Sequence, residues 1–194
     1  MITRADVVER VSEWQLTEEV IEKDYVLGWL LWGVGADPEL SQRWIFKGGT
    51  CLKKCYIETY RFSEDLDFTV LPNGPYRPEQ IAAMLQRTLA RVHDASGIDF
   101  TVQALGLRLR PDGLSTEGGV YYIGPRRTRQ AARVKLDISA NETVIRPPVL
   151  RDIHHPYLTG PCQVRCVATP SRKCLPKSSE PWLSARGHAT FTTS

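Results

Sequence analysis

Three acidic residues fall where hydrophobic patterning asks for strands: Asp65 and Asp67 in DLDFTV, and Asp137 in VKLDIS. Alternate residues of a strand point to the same face. Asp65 and Asp67 therefore stand side by side while Leu66, Phe68 and Val70 enter a core. In the second segment Lys135 shares a face with Asp137, and Val134, Leu136 and Ile138 take the other. If the two strands are neighbours in one sheet, three carboxylates and an ammonium meet. Such a cluster repels itself unless a cation sits in it, and hard divalent ions favour carboxylate oxygen. Two such ions activate an attacking oxygen and steady a departing pyrophosphate.

A third stretch, Lys47-Gly48-Gly49-Thr50, follows the apolar run WIF and precedes a helical segment. Backbone N–H groups at such a strand-to-helix turn, together with the helix dipole, attract phosphate. Glycine permits close backbone approach there, and Thr50 adds a hydroxyl donor. Lys135 is placed to neutralise charge on a triphosphate. Each motif alone is commonplace. GGT recurs in turns, a strand Asp-x-Asp is more often a solvated face, and KLD is an ordinary surface ion pair. Their order along the chain gives them weight.

The elements that must position these residues are legible in outline. A short helix is expected at about 4–13 and a longer one at 17–34, where Thr17 caps, Glu18 and Glu19 suit the positive end of the dipole, and Gly35 and Pro38 stop it. WIF at 44–46 reads as a buried strand, CLKKCYIETY as a helix of about two turns, and DLDFTVL as a strand closed by PNGP. Pro78 opens a helix over 79–94. Three further strands are expected within FTVQALGLRLR, GVYYIG and ARVKLDIS. Helices, strand–helix–strand, helix and then strands describe an α/β (α+β) domain, with a mixed sheet flanked by helices, over residues 1–168. The last segment, 169–194, has no period and is rich in Pro, Ser and Thr, so composition predicts a disordered tail.

Bulk properties exclude little. A net charge of +3 permits nucleic acid as a partner without demanding it. No apolar run is long enough for a bilayer, and the start lacks a signal-peptide core, so a cytoplasmic protein without membrane attachment is expected. Five cysteines, an odd number, read as reduced thiols. His154, His155, Cys162 and Cys166 offer one zinc-like arrangement, though the paired CxxC half-sites of a ribbon are missing, and a zinc-stabilised RNA-binding module is the least favoured reading. Arg126, Arg127, Arg129 and Arg133 form a basic segment that suits either RNA phosphates or a solvated turn.

Taken in order, IEKDYVLGWLL, FKGGTCLKK, RFSEDLDF and VKLDIS resemble the AbiEii-type nucleotidyltransferases, toxins of type IV toxin–antitoxin and abortive-infection systems. That family belongs to the DNA polymerase β-like nucleotidyltransferase superfamily, and the resemblance runs from about residue 18 to about residue 168. It implies the minimal polymerase β-like fold, Mg2+ (or Mn2+), and transfer of a nucleoside monophosphate from an NTP to a hydroxyl of RNA or protein. Relatives act with GTP or CTP, some modify tRNA, and each is restrained by an antitoxin encoded nearby. Carried onto this sequence, the resemblance gives phosphate binding to Gly48, Gly49 and Thr50, metal binding to Asp65, Asp67 and Asp137, and active-site roles to Ser63 and Lys135. Lys47 and Arg61 are weaker candidates for phosphate contact; for Lys23 and Asp24 a helix-to-sheet ion pair is at least as good a reading.

The family continues with a helical region that also contributes to the site, and nothing like it follows Val167. The tail SRKCLPKSSEPWLSAR can be back-translated so that a shifted frame reads EEVFAEKFRALAER, which is family-like. A one-base insertion or deletion near Thr169 or Pro170 is therefore expected, leaving either an enzyme short of one active-site wall or a catalytically impaired nucleotide-binding remnant.

Overall fold

The computed structural model describes residues 2–56, 62–155 and 163–166, the last four by their backbone alone. Helices α1 (Arg4–Trp14) and α2 (Glu18–Ala36) come first, followed by a single turn, α3 (Leu40–Arg43). Then come β1 (Trp44–Lys47), α4 (Gly48–Cys55), β2 (Asp65–Val70) and α5 (Pro78–Ser96). Strands β3 (Gly106–Leu109), β4 (Ser115–Tyr122), β5 (Ala132–Ser139), β6 (Val149–Asp152) and β7 (Gln163–Cys166) follow. Thr17 caps α2 by accepting from Val20 N, and Pro78 opens α5, which ends on Gly97 in the left-handed region.

The strands form one mixed sheet in the order β3-β4-β5-β2-β1-β7-β6. β2 runs parallel to β5 and antiparallel to β1, and β4 runs antiparallel to both β3 and β5. The strand–helix–strand segment is thus no parallel crossover: after α4 the chain returns beside β1 in the opposite direction. Even-numbered residues of the central strands build the core. Phe46 lies opposite Phe68, Trp44 opposite Val70, and Leu66, Phe68 and Val134–Ile138 alternate into the same buried layer with Leu27, Leu31, Leu85 and Val92 of the helices. Phe68 packs on Trp44 and Phe46 with ring centroids at 5.0 and 5.5 Å, which ties β1 to β2. Burying each such side chain contributes about 1.5–3 kcal/mol.

The mixed α/β architecture expected from sequence is observed, with differences in detail. The GGT stretch is not a turn ahead of a helix but the first turn of α4 itself. β4 begins at Ser115 rather than Gly119, β3 covers only Gly106–Leu109, and β6 and β7 were not anticipated. Among the described residues no helix is long and apolar enough to cross a membrane. Residues 57–61 and the tail from 167 onward, with the disorder and frame expectations attached to it, lie outside the described residues.

Candidate active site

With the even-numbered residues committed to the core, the odd-numbered residues of β2 and β5 share the opposite face of the sheet. The parallel register puts Asp65 beside Lys135 and Asp67 beside Asp137. The row extends in both directions, because Lys47 of β1 is opposite Asp67, Glu117 of β4 is opposite Asp137, and Arg108 of β3 is opposite Glu117. Five adjacent strands thus present the charge sequence Lys47, Asp67, Asp137, Glu117, Arg108: three carboxylates between two cations.

Asp67 carries the cost of this arrangement. Burial, then the charges of Asp137 and Asp65, push its carboxyl above the ordinary carboxylate range, while Lys47 and Lys135 pull the other way. The glycine turn meets it directly. Gly48 has φ +78°, and a Cβ there would lie 2.2 Å from Asp67 Oδ2. Only glycine leaves that space open and adopts that backbone without strain. Thr50 is buried, and its hydroxyl donates to the Asp65 backbone carbonyl at 2.6 Å, so it braces the strand that carries the acids. Gly49 lies in the first turn of α4, Ser63 is half-buried just ahead of β2, and Lys135 is exposed beside Asp65.

The cations on both sides of the acids are held in ion pairs. Lys47 Nζ pairs with Glu142, whose other oxygen accepts from Thr69 Oγ1 at 2.5 Å. Burial raises the Glu142 carboxyl, but the bonds from Lys47 and Thr69 and the Lys47 charge outweigh it and leave the group below its ordinary range. On the other side Arg110 bridges two acids, Nη2 to Asp137 Oδ2 at 2.5 Å and Nε to Glu117 Oε2 at 3.2 Å. Sequence reasoning missed Glu117 and Arg110. The weak contrast between the two faces of β4 hides the first, and Arg110 sits in the turn past β3, where periodicity says nothing.

Other charged candidates have structural duties. Asp24 pairs with Lys54 of α4, not with the sheet, at 2.7 Å, both side chains at most 5% exposed; Lys23 pairs with Glu64 at 2.5 Å. Arg126 ties its loop to α2: its backbone N donates to Glu22 at 2.7 Å and its guanidinium reaches Glu18 at 3.4 Å. Arg127 and Arg129 are exposed, and Arg133 lies over Tyr121 at 5.9 Å. His155 is buried against α2, 5.9 Å from the Tyr25 ring, in the space where Gly28 lacks a Cβ. Burial, then the Lys54 charge, drives its pKa down to about 3. Arg61 and Cys162 lie outside the described residues, as does the side chain of Cys166.

Whether these residues fit a divalent ion can be judged from the donors. Among the described residues no group of three or more His, Cys, Asp or Glu side chains is placed so that it could hold a metal ion. Magnesium does not need one: it takes one or two carboxylates and leaves its other positions to water and substrate phosphates. Asp65 and Asp67 share a face, Asp137 is next in the row, and mutual repulsion at Asp67 is what a cation would relieve. The chemistry of the donors, two carboxylates on one face with a third beside them, suits a hard cation that keeps water and phosphate as its other ligands.

A mixed sheet flanked by helices is consistent with a nucleotidyltransferase-like α/β fold. Residues 29–171 match the family described as nucleotidyl transferase AbiEii toxin, type IV toxin–antitoxin system, and the chain belongs to that family. No curated protein matches it.

Proposed function

We propose that the protein transfers a nucleoside monophosphate from an NTP to an acceptor hydroxyl, as the toxin of a type IV toxin–antitoxin pair. The observation that carries this reading is the register that sets Asp67 beside Asp137, with Gly48 against the Asp67 carboxylate. Asp65 and Asp67, with Asp137, would hold Mg2+ (or Mn2+), which when bound supplies neutralisation of the triphosphate and a more acidic acceptor hydroxyl. The backbone N–H groups of Gly48 and Gly49 open α4 and offer the triphosphate donors and the positive end of a dipole. Thr50 keeps Asp65 in place through its carbonyl, while Lys47 and Lys135, each in register with an acid, would contact phosphate, and Ser63, two residues ahead of Asp65, is assigned the same role. The acceptor oxygen bonds to the α-phosphorus, the bond to the β-phosphate oxygen breaks, and pyrophosphate leaves.

Family membership supports a cognate antitoxin as partner and GTP or CTP as substrate, in the cytoplasm. RNA, including tRNA, is the favoured acceptor over protein, with exposed Arg127, Arg129 and Arg133 as the basic surface. We assign the nucleotidyltransferase domain to residues 1–168, of which 29–168 lie within the family match that runs from 29 to 171. The functional test is incubation with each labelled NTP, Mg2+ and bulk RNA. Label should enter RNA and Asp65→Ala should abolish it; transfer that survives this substitution sinks the catalytic assignment. Nucleotide binding without any turnover would instead mark an impaired remnant.

A further inference from the structure

Arg110 does something in this site that no motif announces. Its backbone is fixed at the neck of the β3–β4 hairpin: its N–H donates to Ser115 O at 2.7 Å and its carbonyl accepts from Gly113 N at 2.9 Å. Asp112 closes the turn by accepting from Leu114 N and Ser115 N at 2.9 and 3.0 Å. The side chain, by contrast, is 34% exposed, and among the described residues its guanidinium is held through Glu117 and Asp137. Glu117 is itself gripped from the other side by Arg108, whose Nε donates to Oε1 at 3.1 Å. Asp137 thus has Oδ2 on Arg110, and its Oδ1 accepts from the Ser139 hydroxyl at 3.5 Å. The acid needed beside Asp67 is engaged by a cation of the protein's own, on a side chain that can rotate without disturbing the backbone.

We infer that Arg110 serves as resident counter-ion of Asp137 in the free protein, yields that carboxylate when a divalent ion binds, and turns its guanidinium to the phosphates of the bound nucleotide. The inference rests on the divalent-ion reading above. Glu117 provides the pivot, since it keeps one guanidinium nitrogen bonded while the others change partner. A planar guanidinium matches a phosphate edge as well as a carboxylate, so the exchange conserves bond type. It also prevents three adjacent carboxylates from lying unneutralised before metal arrives.

The test is Mn2+ titration by electron paramagnetic resonance, without nucleotide and then with a non-hydrolysable NTP, on wild type, Arg110→Gln and Arg110→Lys. Removing a competing, partly exposed cation should tighten Mn2+ binding by about three- to tenfold in Arg110→Gln. Arg110→Lys, which keeps the charge and the hairpin, should stay close to wild type in Mn2+ affinity. Nucleotide affinity in the presence of Mn2+ should fall about tenfold in Arg110→Gln. In an Asp137→Asn background the Arg110→Gln gain should vanish, because the contested carboxylate is gone. Mn2+ affinity that is unchanged or weaker in Arg110→Gln, or a gain that persists when Asp137→Asn is already in place, overturns the inference while leaving the metal site standing. Wild type that binds no Mn2+ overturns the metal reading itself, and this inference with it.

Discussion

Replacing Gly48 by alanine tests the site at its tightest point. Two costs are readable from the structure. The backbone sits at φ +78°, and an L-residue in that region costs about 1–2 kcal/mol. The new Cβ would stand 2.2 Å from Asp67 Oδ2, 3.1 Å from its Cγ and 3.3 Å from its Cβ. The carboxylate end must therefore move by about 1 Å, a displacement that at a reacting centre is worth roughly 100-fold in rate. A carboxylate can rotate away at little cost to folding, so the stability loss should be mainly that of the backbone. For a chain of this size that is a fall in Tm of about 2–8 °C. Gly113→Ala is the matched control: φ is +67°, and a Cβ there meets nothing within 4 Å. Thermal unfolding and labelled NTP transfer on both variants should show similar losses of Tm but a collapse of transfer in Gly48→Ala alone. Wild-type transfer in Gly48→Ala, or an equal loss in Gly113→Ala, would refute the claim that Gly48 makes room for the Asp67 carboxylate.

Asp67→Asn removes a carboxylate that burial and its acidic neighbours hold above the ordinary range. The metal-free variant should melt higher than wild type, and Mg2+ should raise the Tm of wild type only. Because folded Asp67 binds its proton more tightly than the unfolded chain does, its charged form opposes folding, and acidification through its raised pKa should relieve that cost. His155 acts in the opposite sense. Its pKa falls from 6.5 to about 3 on folding, so as pH drops below about 6.5 the unfolded chain takes a proton that the folded one refuses, and stability is lost. Urea unfolding across that range should show a shallower decline in His155→Gln than in wild type. Asp24→Ala leaves the Lys54 ammonium buried without its carboxylate and should cost about 3–5 kcal/mol in the same assay, against little for Lys23→Ala at the surface.

The face-by-face arrangement of the acids was legible because strand alternation is local: DLDFTV and VKLDIS each declare which residues enter the core. What no single strand declares is its partner. The pairing of Asp67 with Asp137 depends on β2 and β5 becoming parallel neighbours across some 70 residues of intervening chain, and it emerges only when Phe68, Leu136 and Ile138 pack in one layer. Glu117 was hidden for a related reason. In STEGGVYY the two faces contrast weakly, with Thr116 and Gly118 buried on one and Ser115 and Gly119 buried on the other. Four-residue strands such as β6 and β7 are too short to show a period at all. Asp24 reads in the sequence as one end of a helix-to-sheet ion pair, but its partner is Lys54 of another helix, since a helix buried on most sides marks no single partner.

The most direct measurement is a crystal structure of the protein with Mn2+ and a non-hydrolysable GTP or CTP analogue, with the ion located by anomalous scattering. The account predicts an anomalous peak in contact with Asp65 and Asp67, with the analogue's phosphates against the N-terminus of α4. A peak elsewhere, or phosphates bound away from Gly48 and Gly49, would contradict it.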